Sequence, residues 1–427
     1  MTATAVEDRR TTAPASPRVL TDAQCCLDEH LARHGPLPLA GPEALLDLIE
    51  ASGLTGRGGA GFPVHRKWRA VAAGRGRAVV VGNGAEGEPA SSKDKTLLAI
   101  NPHPTLDGLQ VAAHAVDAER AYLYVHRDLP LLSLVRSALE ERRRAGVDRV
   151  PVRLVAAPPR FIAGEESAVV SRISGGDAMP RSKPPRVFER GVDGKRTLVQ
   201  NVETLAHVGL LARYGANWFR AVGAQDQPGT MLFTVSGAIA NRGVLEAPVG
   251  ATVGQLVAAA GGVVGVAQAV LLGGYHGTWV PVDDIWTLPL ANSVLRPRGW
   301  SVGAGVVVVL PAEVCGLVEA VRVLRYLAAE SAGQCGPCVF GLGAVSAAMT
   351  DLAHRGNSPW DTGEVERLAR LIERRGACHH PDGSVRFVRS SMTVFADELQ
   401  LHARGECRAT TQAPVLPVPG PDRMAWR

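Results

Sequence analysis

Three cysteines of this chain have the spacing of an inorganic site. Cys335 and Cys338 form a Cys-x-x-Cys turn inside Glu330-Ser-Ala-Gly-Gln-Cys-Gly-Pro-Cys338, and Cys378 follows forty residues later. Such a turn presents two thiolates to one metal, and a distant third cysteine fits a cluster held between a loop and a helix bundle. Cys25, Cys26, Cys315 and Cys407 lack such spacing and read as buried or incidental thiols. Seven cysteines in 427 residues are too sparse for a disulfide scaffold, and their odd number leaves one unpaired. Metal or redox chemistry in a reducing compartment is the expectation.

Two glycine-bearing loops offer a second kind of chemistry. Gly56-Arg-Gly-Gly-Ala-Gly61, with Lys67 six residues on, is either a flexible turn or a phosphate cradle. Glycines let backbone N–H groups close on a phosphate, and a following helix N-terminus adds a favourable dipole. The spacing matches neither the dinucleotide fingerprint nor the P-loop. Gly82-Asn-Gly-Ala-Glu-Gly-Glu-Pro89 follows an apolar strand, where ligands of open α/β sheets bind. There Asn83 offers donor and acceptor, while Glu86 and Glu88 suit ribose hydroxyls or ring nitrogens. Gly164-Glu-Glu-Ser167 opens a helix, and Pro180-Arg-Ser-Lys-Pro-Pro185 is a rigid basic loop. Against 41 arginines there are 5 lysines, and Lys67, Lys93, Lys95 and Lys183 fall in these segments. That clustering favours specific sites over decoration.

The elements that must position these loops alternate at first. Helical spacing at Asp22–Leu31 and Glu43–Ala51 precedes a strand at Ala78–Val81, then helix near Thr105–Val116 and strand at Ala121–Val125. Helix near Leu131–Arg144, strand at Val150–Ala156 and helices at Glu165–Ile173 and Glu203–Tyr214 continue the pattern. It predicts an α/β sandwich with a largely parallel sheet. From Gly229 short strands dominate (Thr230–Ser236, Val244–Pro248, Ala267–Leu272, Val306–Leu310) around a helix at Val253–Ala260. After Pro311 the pattern is helical, over Ala312–Ala329, Leu342–Ala353, Gly363–Ile372 and Met392–His402. Five segments result: a disordered arm 1–19, an α/β domain 20–226, a small α+β domain 227–311, a helical bundle 312–405 and a disordered tail 406–427.

Composition excludes several classes. A net charge of +5 from 46 basic and 41 acidic residues is too mild for nucleic acid or an anionic membrane surface. Residues 1–19 lack the apolar core of a signal peptide. The stretch from Ala247 to Val282 carries no formal charge, but its eight glycines, two glutamines and two prolines argue against a membrane span. A cytoplasmic protein, without direct membrane insertion, is expected.

In their order along the chain, Gly56–Phe62 with Lys67-Trp68, Glu86-Gly-Glu-Pro89, Gly164-Glu-Glu-Ser167, Lys183-Pro-Pro185, Asn201-Val-Glu-Thr204 and Glu330–Cys338 resemble one family. It is the flavin-bearing, NADH-binding subunit of respiratory complex I, with its relatives in NAD-linked hydrogenases and formate dehydrogenases. The resemblance implies a Rossmann-like FMN domain, a ubiquitin-like β-grasp domain and a C-terminal α-helical bundle holding a [4Fe–4S] cluster. It implies FMN contacts at Gly56, Arg57, Gly58, Gly59, Lys67, Asn83 and Glu86, with Gly164, Glu165, Gln200, Asn201 and Thr204 near the other flavin edge. Phe62, Glu88, Glu166 and Lys183 would face NADH, Glu88 and Glu166 positioning it for hydride transfer. Cys335, Cys338 and Cys378 would hold the cluster.

The chain departs from that pattern at telling places. Two aromatics that stack adenine in the family are matched by Ala70 and Arg186, and Ala85 stands where Asp is usual. Ala332 replaces the first cluster cysteine, and Val339 the Arg after the last loop cysteine. A methyl group cannot ligate iron. The expected cluster is therefore either a three-iron form, [3Fe–4S], or a [4Fe–4S] cluster with one non-cysteine ligand such as His379 or His380.

The leading expectation is an NADH dehydrogenase-type flavoprotein passing electrons to an iron–sulfur partner, a ferredoxin or a [2Fe–2S] subunit. It would work in the cytoplasm, free or peripheral to a membrane complex. Two alternatives stand beside it. One is an FMN module fed by a ferredoxin-like protein without NADH. The other is a structural or adaptor relative holding zinc through Cys335, Cys338, Cys378 and His379.

Overall fold

The structure is a computed structural model and describes residues 18–20, 24–354, 361–420 and 426. The chain opens with α1 (Leu27–His34), α2 (Pro42–Ser52), α3 (Val64–Ala72), β1 (Ala78–Gly84), α4 (Lys93–Ile100), α5 (His103–Ala115) and β2 (Ala118–His126). It continues through α6 (Leu129–Ala145), β3 (Val152–Ala157), α7 (Glu166–Ile173), β4 (Thr197–Asn201) and α8 (Val202–Arg220). The four strands form one parallel sheet in the order β3-β2-β1-β4. Both faces are covered, which is why β1 and β2 are nearly continuous apolar runs. Val80, Leu123 and Val125 pack with α5 and α8, while Val79, Val81 and Tyr124 pack with Val169 and Val170 of α7.

A short ribbon of β5 (Gly223–Ala224) and β6 (Gln227–Pro228) leads to a second sheet. Its elements are β7 (Thr230–Gly237), β8 (Gly243–Pro248), α9 (Val253–Ala259), β9 (Ala267–Leu272), β10 (Thr278–Pro281), α10 (Val282–Ile285), α11 (Asn292–Leu295) and β11 (Val306–Pro311). The order is β10-β9-β11-β7-β8, with β11 parallel to β7 and the other pairs antiparallel. The uncharged stretch from Ala247 onward forms the inside of this unit: Val253, Leu256, Val270, Leu272 and Val280 are buried together. Among the described residues, no helix is long and apolar enough to cross a membrane.

The remaining elements are helices: α12 (Gly316–Ala329), α13 (Leu342–His354), α14 (Thr362–Ile372), α15 (His380–Val394) and α16 (Ala396–Ala403). Among the helices without an expected span, α15 and α4 show why. α15 begins with a proline in its first turn and holds Gly383. Gly383 reads as a breaker but is a contact point, because a Cβ there would lie 2.3 Å from the His276 ring. α4 escaped because its cap is remote. The Glu86 carboxylate, not a neighbouring side chain, accepts the N–H groups of Asp94 (3.2 Å) and Lys95 (3.1 Å).

The expected disordered ends need correction where they are described. The expected arm falls mostly on residues 1–17, outside the described residues. Arg18 and Val19, with Leu20, donate their N–H groups to Glu246 Oε2 at 2.8–3.0 Å, and Val19 is buried. The tail from residue 406 to 420 is placed against the protein. Thr410 and Thr411 donate to Glu313 O, Val415 and Leu416 donate to Glu319 Oε2, and Leu416 is buried. Its prolines signalled the lack of a helix, but an extended segment can satisfy its backbone on groups supplied by other elements.

Candidate functional site

The glycine loop runs from Gly56 into α3 and lies across the carboxyl ends of β1 and β4, which end side by side with Asn83 opposite Asn201. Gly56 N–H donates to Phe62 O (2.9 Å), closing the loop, and Arg57 N–H donates to Thr204 Oγ1 (2.8 Å). Gly58 is pressed onto Asn201: a Cβ there would sit 3.1 Å from the Asn201 Cβ. Gly59 has a φ of +114°, and its missing Cβ faces the backbone at Gly303 and Ala304. Asn201 Oδ1 caps α8 through Glu203 N–H and Thr204 N–H, and its amide donates to Asp94 Oδ2 (2.7 Å). Trp68 Nε1 donates to Gln200 Oε1 (3.4 Å), fixing α3 against β4.

The far wall comes from the turn before α7. Asn83 Nδ2 donates to Gly164 O (2.9 Å). Glu165 caps α7, accepting from Ser167 N–H (2.8 Å) and Ala168 N–H (3.2 Å), and pairs with Lys183 Nζ (3.0 Å). Lys67 Nζ reaches Glu166 Oε1 at 2.6 Å. Thus pairwise contacts join the glycine loop to Asn201 and Thr204, α3 to Gln200, Asn83 to Gly164, Lys67 to Glu166 and Glu165 to Lys183 around the ends of β1 and β4. Phe62 is half exposed (52%) on its rim, and Ala70 and Arg186 are exposed.

Three expected residues are placed differently from their expected roles. The Arg57 guanidinium is buried away from the cleft, donating to Thr230 O (3.2 Å), Pro228 O (3.0 Å) and Thr55 Oγ1 (2.9 Å). Burial lowers its pKa to about 10. Only its backbone faces Thr204. Glu86 is spent on capping α4 and on the Ser91 hydroxyl (2.5 Å), and burial, then Asp94, raises its pKa. Lys93 is a core residue: its ammonium pairs with Asp94 (2.7 Å) and Glu203 (2.8 Å), all but excluded from water. The scarcity of lysine therefore marked buried structure here as well as the cleft.

Glu88 sits where the two sheets meet. Ala90 N–H donates to its Oε1 (3.1 Å) and Tyr275 N–H to its Oε2 (2.7 Å). Burial pushes its pKa up to about 7 against those two hydrogen bonds. Tyr275, which had no signal in the local sequence, is thus part of the site through its backbone.

The cysteine region lies directly behind α7. Glu330, which opens the loop, accepts from Phe161 N–H (2.8 Å) and pairs with Arg160 (3.0 Å), tying the loop to the turn that carries Gly164. Burial pushes the Cys378 thiol up to about 11, offset by His380 N–H and reinforced by the Glu165 carboxylate, Cys338 and Cys335. The same effect raises the Cys338 thiol, with the Ser331 side chain and the Ala332 backbone acting in the opposite direction, and Ser331 Oγ donates to the Cys338 carbonyl (3.2 Å).

Of the two histidines expected as ligands, His380 has no free ring nitrogen: both are used, on Leu327 O (2.8 Å) and His276 (2.9 Å). His379 is exposed, meets Asp382 (3.1 Å) and lines a cavity of about 740 Å³ shared with Trp279 and Arg386.

Two family models match this chain: the Nuo51 FMN-binding domain over residues 49–210, and the NADH-ubiquinone oxidoreductase-F iron-sulfur binding region over residues 319–402. Fold and site together define a flavin- and iron–sulfur-bearing oxidoreductase module of the NADH dehydrogenase type. The NADH-quinone oxidoreductase F subunit numbered 2 of Rhizobium meliloti (strain 1021) is 30% identical over 376 residues, 84% of this chain and 89% of the relative. The corresponding F subunit of Streptomyces coelicolor is 30% identical over 377 residues, 85% of this chain and 84% of the relative. The chain belongs to the family of NADH-quinone oxidoreductase F subunits. Among solved structures, a chain of an NAD+-reducing [NiFe]-hydrogenase in the air-oxidised state superimposes with a TM-score of 0.78 at 30% identity, over 88% of this chain. This chain spans 65% of that hydrogenase chain's length.

Proposed function

We propose that this chain is an NADH:acceptor oxidoreductase with FMN and an iron–sulfur cluster as its cofactors. Its acceptor is an iron–sulfur protein, a ferredoxin or a [2Fe–2S] subunit. The observation that carries the reading is the adjacency of the two sites. Glu330, at the start of the cysteine loop, accepts from Phe161 N–H (2.8 Å) and pairs with Arg160 (3.0 Å), in the turn that leads to Gly164 and Glu165. When bound, FMN supplies the conversion between two-electron and one-electron chemistry that no side chain here provides.

The backbone of Gly56–Gly59 at the start of α3, with Lys67, holds the flavin phosphate. Asn83, Gly164, Gln200, Asn201 and Thr204 line the remaining cleft. Phe62, Glu88, Glu166 and Lys183 orient the nucleotide, which the reaction requires more than it requires an acid or base. Cys335, Cys338 and Cys378 hold the cluster, and the fourth position is left to a three-iron form or to a ligand other than His380.

The strand order β10-β9-β11-β7-β8 supports a β-grasp reading of residues 227–311, between a Rossmann-like FMN domain at 20–226 and a cluster-bearing bundle at 312–405. We assign the protein to the cytoplasmic side, peripheral to any membrane complex it joins.

The test is the visible spectrum of anaerobically purified protein before and after NADH. Flavin and cluster absorbance that bleach with NADH are expected. A flavin reduced by a ferredoxin but not by saturating NADH would replace this reading with the NADH-free module.

A further inference from the structure

The cysteines that the spacing set aside form a second cluster of donors. Cys315 precedes the first turn of α12, its sulfur accepting from Val318 N–H (3.4 Å). His402 stands near the end of α16, with its Nε2 3.5 Å from Cys315 Sγ. Cys407 is brought back by the turn after α16, where Gly405 has a φ of +75° and the N–H groups of Gly405 and Glu406 return to His402 O (3.0 Å) and Leu401 O (2.9 Å). That is the left-handed glycine stop of a helix. As a result Cys315 Sγ, Cys407 Sγ and a ring nitrogen of His402 all lie within 4.8 Å of one another.

We propose that Cys315, His402 and Cys407 form a zinc site, separate from the Cys335, Cys338 and Cys378 set. Two thiolates and an imidazole are a donor set that zinc takes tetrahedrally. Zn–S and Zn–N bonds of about 2.3 and 2.1 Å put the two ligand atoms about 3.5 Å apart at a tetrahedral angle, which is the separation of Cys315 and His402. The imidazole is also oriented for it. His402 Nδ1 donates to Ala353 O (2.6 Å), so Nε2 carries the free lone pair, the arrangement that metal-bound histidines adopt. The fourth position falls to a water or to Glu398, whose Oε2 lies 3.0 Å from Cys315 Sγ.

Burial and the Glu398 carboxylate push the Cys315 thiol well up, so without a cation it stays protonated. A divalent ion would displace the two thiol protons to solvent and neutralise the charge they leave. The consequence is mechanical. Cys407 starts the extended segment that runs along Glu313 and Glu319 and ends with Pro417 O accepting from Tyr275 Oη (2.7 Å). The backbone N–H of the same tyrosine holds Glu88. The ion pins the near end of that strap.

The test is metal analysis of the full chain purified anaerobically with its iron. One equivalent of zinc is expected, lost in Cys407→Ser and His402→Gln with iron and sulfide unchanged. Cys335→Ser should lower iron and sulfide and keep the zinc. Cobalt added in place of zinc should give thiolate-to-metal charge-transfer absorption in the wild type and none in Cys407→Ser. Cys407 is exposed, so that variant is not expected to endanger folding. The proposal is overturned by wild-type protein that takes up neither ion, by zinc that leaves with Cys335→Ser but not Cys407→Ser, or by a Cys315–Cys407 disulfide in the anaerobic protein.

Discussion

Lys67 Nζ stands 2.6 Å from Glu166 Oε1, an ion pair that ties the glycine loop's helix α3 to the first turn of α7. Both groups are about one-third exposed, so the pair itself adds little stability. Its value is that it places a cation and an anion where a phosphate and a ribose hydroxyl would each find a partner. Lys67→Ala should weaken FMN binding roughly 10- to 100-fold, the range of one charge-assisted hydrogen bond. Glu166→Gln should leave FMN bound and weaken NADH. Fluorescence titration of apoprotein with FMN, then of holoprotein with NADH, separates the two.

With adenine stacked over α3 as the family resemblance implies, Ala70 would remove one stacking surface, at a cost of about 1–3 kcal/mol. NADH should therefore bind one to two decades more weakly than in relatives with an aromatic there. Ala70→Phe should recover about tenfold, since position 70 is exposed and open. An unchanged Kd would show that adenine does not reach α3.

Glu88 gives a pH dependence with a defined sign. Its folded pKa, about 7, lies above the ordinary value of 4.5. The folded state thus holds the proton more tightly, and stability from this group, present below pH 4.5, is lost as pH rises to 7. The size is at most about 3 kcal/mol. Denaturation midpoints at pH 5 and pH 8 should differ less in Glu88→Gln than in wild type.

Arg57 should behave as a structural residue. Arg57→Met removes the guanidinium donors to Thr230 O, Pro228 O and Thr55 Oγ1. A loss of about 3 kcal/mol or more in unfolding free energy is expected. Arg57→Met protein that unfolds as wild type but has lost FMN would instead mean that the side chain serves the cofactor.

At the cluster, Ala332→Cys should raise the iron count and oxygen tolerance, because it restores a thiolate three residues before Cys335. Cys378→Ser should lose iron and sulfide. His379→Ala should change neither, since that ring meets Asp382 instead. Anaerobic iron and sulfide analysis with EPR reads all three.

Much of the cleft was legible in the chain because each part is a short, continuous signal. The glycine run with Lys67, the turn after an apolar strand at Asn83, Gly164-Glu165-Glu166 and Cys335-x-x-Cys338 carry their chemistry within a few residues. Helices and strands with strong periodicity were legible for the same reason. What local sequence could not say is which way a polar side chain turns. Arg57, Glu86 and Lys93 sit in motifs with the right chemistry, yet each is claimed by an unpaired group on another element.

The order of the motifs and the alanine at position 332 are read from the sequence alone, since adjacent residues set them. Tertiary structure decided the rest. It put Tyr275 N–H on Glu88, spent His380 on Leu327 and His276, and drew the tail along Glu319. It also brought Cys315, His402 and Cys407 together across more than eighty residues of chain. The physical reason is common to all four. A buried donor or acceptor must find a partner, and that partner is chosen by packing among distant elements, which no local spacing records.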